Sequence, residues 1–137
     1  MTYIDIQNWI CKKLYENFTD AEIVVERNDE EIIKNSFYVS LRPLRSNNFS
    51  NVIQNKLVNV DIYYFNKSNT HLENLEMTDK LETIFKSVKV NKDVFTISDI
   101  TSKEVEGVLI VSFTLDYYLE TKELNNLKMG ELNFKLN

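Results

Sequence analysis

The chain has 137 residues, 43% hydrophobic and 27% charged, proportions that suit one domain with a single core. Its formal charge of -5, from 16 basic and 21 acidic side chains, argues against nucleic-acid binding, which leaves a basic footprint on the protein. The lone cysteine, Cys11, excludes an internal disulfide, no Cys/His cluster has metal-ligand spacing, and no apolar run approaches the ~18 residues of a membrane span.

The first helix is predicted to start at Thr2, whose hydroxyl caps the free amides of the first turn, with Asp5 near the positive helix end. Ile6, Trp9, Ile10, Leu14 and Phe18 recur at helical spacing and form one core-facing stripe. Thr19-Asp20 ends the pattern. Ile23 to Glu26 reads as a short strand, followed by a charged turn through Asn28, Asp29 and Glu30.

From Ser36 to Leu44 the residues alternate, with Phe37, Val39 and Leu41 on one face and Tyr38, Ser40 and Arg42 on the other. Pro43 ends or edges that strand, because it donates no ladder hydrogen bond. Leu57 to Phe65 forms the next strand, with Val58, Val60, Ile62 and Tyr64 sharing a face. The two read as a hairpin with a long connection, Arg45–Lys56, mobile and polar but carrying Phe49, Val52 and Ile53.

Thr70-His71-Leu72-Glu73 has the form of a capping box and opens the second helix, whose buried stripe is Met77, Leu81, Ile84, Phe85 and Val88. Val94, Thr96, Ser98 and Ile100 mark a strand, and Glu106-Gly107 turns it into the strongest one. There Leu109, Val111, Phe113, Leu115 and Tyr117 point inward while Ile110, Ser112, Thr114 and Asp116 point away. The expected fold is α+β: an antiparallel or mixed sheet with two helices on one face, in the order α-β-β-β-α-β-β. A single domain is expected over residues 1–137, ending in an interaction segment near 129–137. The strand-like alternation of Leu132, Phe134 and Leu136 needs a cover, either the domain's own sheet or an edge of a neighbouring subunit.

No reactive centre emerges. His71, the only histidine, sits in the first turn of a capped helix beside acidic residues and reads as a solvated surface group. The carboxylates of Glu30, Glu31 and Asp116 show no spacing that singles out an acid–base pair. With only Gly107 and Gly130, a glycine-rich phosphate loop cannot be built. No catalytic, metal or cofactor residue is assigned. Arg45, Phe49, Val52, Ile53, Leu132, Phe134 and Leu136 are instead the candidate contacts to other subunits or to a tube, because a polar segment studded with large apolar side chains gains order from a partner surface.

Several segments together resemble the tail terminator family of phages and phage-derived tail particles of Gram-positive bacteria. They are Phe37, Val39, Leu41 and Pro43; Val60-Asp61-Ile62-Tyr63-Tyr64-Phe65; Met77 and Leu81; and Val105, Gly107, Val108 and Leu109 with Phe113 and Tyr117. Met129-Gly130-Glu131-Leu132 looks like the family's C-terminal end, while Asn66 stands where related chains often have proline. The resemblance implies a structural subunit of a ring, typically hexameric, that caps the tail tube, stops its polymerisation and forms the junction to neck or head. Implied partners are further copies of the chain, the tail tube protein, and sheath and neck proteins, with no sequence-specific nucleic acid and no membrane. Assembly in the bacterial cytoplasm would precede incorporation into a virion or a headless, bacteriocin-like particle. The alternatives are another neck component, such as a connector or stopper, and a small cytoplasmic binding domain. In such a ring an acidic lumen would repel DNA and let it slide.

Overall fold

The computed structural model describes residues 2–25, 33–68, 70–90, 93–97 and 99–120. Helix α1, Tyr3–Asn17, begins on a full capping box. The Thr2 hydroxyl accepts from the Asp5 amide at 3.1 Å, and the Asp5 carboxylate accepts from the Thr2 amide at 2.9 Å. The bond from the Thr2 amide is the main reason the Asp5 carboxyl lies below its usual range. Ile6, Ile10 and Leu14, one row at four-residue spacing, are fully buried.

Among the described residues seven strands follow in two sheets. Strands β1 (Glu22–Val24), β2 (Ser36–Asn48) and β3 (Ile53–Phe65) precede helix α2 (His71–Ile84), and β4 (Ser87–Val90), β5 (Asp93–Thr96), β6 (Ile100–Val105) and β7 (Val108–Glu120) come after it. The main sheet has the order β1-β2-β3-β7-β6 and is mixed: β1 runs parallel to β2, and the other pairs are antiparallel. The elements of this sheet and its helices thus follow the expected order α-β-β-β-α-β-β. The fold is α+β.

One face of the sheet carries the core. Phe37 pairs across Tyr64 to Leu109, Val39 across Ile62 to Val111, and Leu41 across Val60 to Phe113. These rows pack with Ile6, Ile10 and Leu14 of α1 and with Met77 and Leu81 of α2 in one cluster, so both helices lie on the same face. Aromatic contacts tie the layers together: Phe37 lies 4.9 Å from Tyr64 and 5.1 Å from Phe18, and Trp9 meets Phe85 edge-on at 6.2 Å.

Several details refine or depart from the sequence reading. The Arg45–Lys56 segment is strand for most of its length, because β2 and β3 continue to Asn48 and from Ile53. Pro43 therefore edges β2 and does not end it; a bulge between Pro43 and Arg45 lets the strand pass the missing donor. Val88 belongs to β4 and not to the helix, which closes at Phe85 with its amide bonded to the Leu81 carbonyl at 3.0 Å. The strand expected from Val94 to Ile100 is divided: β5 pairs with β4 in a separate hairpin, buried Ile97 follows, and Ile100 starts β6. The first strand is Glu22–Val24, which starts one residue before Ile23 and ends two before Glu26. The turn through Asn28, Asp29 and Glu30, Ser98, and the segment 121–137 lie outside the described residues.

Two local devices set the geometry around α2. The β6–β7 hairpin turns on Glu106 and Gly107 at φ 52° and 84°, positive at both central positions as a tight two-residue turn requires. The Thr70 hydroxyl caps the Glu73 amide at 3.3 Å, but the Glu73 carboxylate does not complete a box. It accepts instead from the Lys67 amide at 3.0 Å, the Ser68 amide at 3.2 Å and the Tyr64 hydroxyl at 2.6 Å, binding the β3–α2 connection to the helix start.

Burial pushes the Glu73 carboxyl up, but the bonds from Tyr64, Ser68 and Lys67 outweigh it, and the group sits below its usual range. A carboxyl with a depressed folded pKa adds stability that is present above its unfolded value and is lost as pH falls through the folded value. Glu73→Gln is therefore expected to cost about 1 kcal/mol at neutral pH, the solvent-screened end of the range for charged bonds. The gap from the parent chain should close in acid. Urea unfolding of both chains across pH checks this, and a gap that persists unchanged into acid would contradict it.

Candidate functional site

The end of the sheet remote from Phe37 offers the surface of greatest interest. There β2, β3 and β7, each 13 residues long, run past β1 and β6 as a three-stranded ribbon. Its hairpin tip is ordered by its own polar groups. The Ser50 hydroxyl accepts from the amides of Val52 and Ile53, both at 3.2 Å, and the Phe49 amide donates to the Ile53 carbonyl at 3.0 Å. Beside it the Gln54 side-chain amide donates to Asn48 Oδ1 at 2.8 Å.

The bulge decides which side chains meet on the ribbon. Before it, Arg42 pairs with Asn59 on the face turned away from the helices. Without a bulge, Arg45 would share the core-facing parity of Phe37, Val39 and Leu41. The extra residue, Leu44, shifts Arg45 opposite Leu57, which in turn pairs with Asp116, so Arg45 joins the open face. On that face the Arg45 guanidinium reaches Asn55 Oδ1 at 3.4 Å. Asn55 Nδ2 donates to Asp116 Oδ1 at 2.6 Å and to the Tyr117 carbonyl at 3.2 Å. A buried amide thus links all three strands, with Arg45 on one edge and Asp116 on the other.

An aromatic pair crowns the same end. Phe49 lies 5.8 Å from Tyr118 with rings 30° from parallel, and the two residues are 62% and 67% exposed. The helix-facing side is closed: Tyr117 is buried, and burial together with the nearby Tyr3 hydroxyl pushes its phenol up to about 12. The Lys56 ammonium caps the Tyr3 ring at 4.4 Å from its centroid.

The structure brings Arg45, Phe49, Val52 and Ile53 together at this end; Leu132, Phe134 and Leu136 lie outside the described residues. Val52 is half-buried in the turn, and the other three are exposed. Sequence reasoning missed Asn55 and Tyr118 as parts of the site and took Asp116 only as a solvated carboxylate. Tyr118 was detectable: it is a large aromatic in the series Ser112, Thr114, Asp116, whose other members are small or charged.

Elsewhere on the surface, a cleft of about 260 Å³ is lined by Asp20, Tyr64, Lys67, Glu73, Glu76 and Lys80, around the Tyr64–Glu73 bond. His71 Nδ1 stands 2.6 Å from Glu104 Oε1, tying the start of α2 to β6 in a solvent-exposed pair. Cys11 lies half-buried on α1, where burial pushes its thiol up, away from nucleophilic thiolate character. A shallow groove of about 300 Å³ between the ends of the two helices is lined by Phe18, Asp79, Lys80 and Ile84 and holds no histidine or cysteine. Among the described residues no three His, Cys, Asp or Glu side chains gather as a metal site, and no helix is long and apolar enough to cross a membrane.

The model of one protein family, described as phage tail terminator protein, matches residues 5–128. The chain belongs to the phage tail terminator family. That stretch includes α1 from Asp5 onward, all of α2, the whole main sheet and the ribbon with its tip. The match stops short of Met129, so the segment Met129-Gly130-Glu131-Leu132 lies beyond it. No curated protein matches the chain. Membership of the terminator family makes this a structural protein of tail completion, acting within the phage tail and among its other components.

Proposed function

We propose that the chain is the subunit of a hexameric ring that caps the tail tube, stops its polymerisation and forms the junction to neck or head. The observation that carries this reading is the family match over residues 5–128, a stretch that contains every element of the ribbon. The physical argument is one of contact surface. A pair of stacked aromatics, each more than half exposed, on an ordered hairpin tip presents apolar area that a partner can cover at little entropic cost. Arg45, Phe49, Val52 and Ile53, together with Leu132, Phe134 and Leu136, meet the tube or a neighbouring subunit. The chain acts without cofactor or metal and performs no catalysis. Its particle is a phage or a phage-derived tail assembled in the bacterial cytoplasm.

A ring that mimics the tube on one face only ends growth, because its other face lacks the surface that would accept another tube subunit. Tails produced without the chain are therefore expected to grow well past their normal length, and purified chain added back should bind one end of isolated tubes. Negative-stain length distributions and labelling of tube ends measure both. Unchanged lengths would reject termination, and binding to portal rings in preference to tube ends would mark a connector instead.

A further inference from the structure

At the distal end of the sheet both edges of the ribbon are open among the described residues. Strand β1 covers β2 only along Ser36–Tyr38, and β6 covers β7 only as far as Phe113. Val39–Asn48 on one side and Thr114–Glu120 on the other thus present main-chain groups with no strand beside them among the described residues. The two edges differ in charge. The β2 stretch carries Arg42 and Arg45 and no acid; the β7 stretch carries Asp116 and Glu120 and no base. They also differ in shape, since Pro43 and the bulge interrupt β2 while the pairing of β7 with β3 is continuous.

Arg45 and Asp116 lie in one row of the sheet, on its open face, at opposite ends of the Asn55 link. Strands β2 and β7 run in the same direction, because each pairs antiparallel with β3. Rotating one copy about an axis roughly along the strands therefore brings its β2 edge beside the β7 edge of the next at a similar height.

We propose that a second copy of this chain docks edge to edge, its Arg42–Arg45 stretch of β2 against the Thr114–Glu120 stretch of β7, with Asp116 of one copy facing Arg45 of the next. Like edges repel: two β2 edges would oppose arginines across Pro43, and two β7 edges would oppose carboxylates. The contact is then head-to-tail, the type that closes into rings, and the row Arg45–Leu57–Asp116 continues from subunit to subunit. Where Pro43 and the bulge interrupt main-chain pairing, the arginine side chains carry the contact. The inference rests on the ring reading above and adds its polarity and its partner surfaces.

Charge-swapped variants test it. Arg45→Glu alone and Asp116→Lys alone should each lower the yield of rings, on tube ends and in native mass spectra of the purified chain, by roughly tenfold or more. An equimolar mixture of the two should recover rings with strictly alternating subunits, and the double variant in one chain should recover them as well. Circular dichroism melts report folding; if either substitution unfolds the subunit, Arg42→Glu with Thr114→Lys repeats the test in the row Arg42–Asn59–Thr114, away from the Asn55 bonds. Undiminished rings from the single variants would overturn the proposal. So would recovery by the double variant without recovery by the mixture, which would place the coupling inside one subunit. Rings that assemble with the expected charge rules but leave tube length uncontrolled would instead reject the capping function.

Discussion

Phe37→Ala is expected to remove roughly 3–5 kcal/mol of folding stability, the usual loss for a buried phenylalanine whose site cannot collapse. Phe37 is fully buried on β2, with Phe18 and Tyr64 rings on either side at 5.1 and 4.9 Å. Tyr64 is held in turn by its bond to Glu73, and Phe18 closes α1, so neither ring is free to fill the space. Against a typical total of about 5–15 kcal/mol, the variant keeps only a modest margin and should melt far below the parent. The adjacent Tyr38→Ala is the control. Tyr38 faces away from the helices, half-buried, with its main ring contact to Tyr63 at 5.5 Å, and should cost about 1 kcal/mol. Urea unfolding of both variants decides the matter; equal losses would mean that the core does not lie on the Phe37 face.

That one-sided core is what alternation made legible. Val58, Val60, Ile62 and Tyr64 on β3, with Leu109 to Tyr117 on β7, are buried at every second position, because a pleated strand sends alternate side chains to opposite faces. The helix starts were legible for a related reason: a hydroxyl at Thr2 or Thr70 followed by an acid three residues on satisfies orphan amides locally. Local chemistry also explains the partial failure at the second cap. The Glu73 carboxylate had a choice between the Thr70 amide and the amides of Lys67 and Ser68 together with the Tyr64 hydroxyl. Only the folded return of β3 to α2 shows that the second set prevails.

The ribbon was harder to read. Asn47, Asn48, Asn55 and Gln54 look like loop residues by composition, yet Asn47 pairs with Asn55 and Asn48 with Gln54 in register. Their strand state depends on β7, which pairs along Ile53–Asn55 from Glu120 to Tyr118 and supplies a partner some sixty residues distant in the chain. No local pattern carries that information. The bulge at Leu44 was equally hidden, and with it the face on which Arg45 stands. The candidate residues Arg45 and Phe49 were legible as contacts from their chemistry, whereas the partners that fix them, Asn55 and Tyr118, were legible only from the register.

Asn74→Leu tests a buried polar link of the same non-local kind. Asn74 is 1% exposed on α2 and donates to the Gly107 carbonyl at 3.1 Å, while its Oδ1 accepts from Asn66 Nδ2 at 2.8 Å. Asn66 also donates to the Thr70 carbonyl at 3.3 Å, so one small network joins the end of β3, the start of α2 and the β6–β7 turn. Leucine nearly matches the volume but makes none of these bonds, leaving the Gly107 carbonyl and an Asn66 N–H without the partners they had. Each loss costs about 1–3 kcal/mol in a buried site, so a total of roughly 2–6 kcal/mol is expected. The signature that separates this from mere crowding is coupling. Asn66→Ala alone should destabilise the chain, but it should cost about 1 kcal/mol less in the Asn74→Leu background, because the bond between the two amides is then already gone. Hydrogen exchange should show the same pattern at the Glu106-Gly107 turn, which loosens in Asn74→Leu and loosens little further in the double variant. Additive losses would mean that the two asparagines act separately, and that Asn66 contributes nothing through the helix.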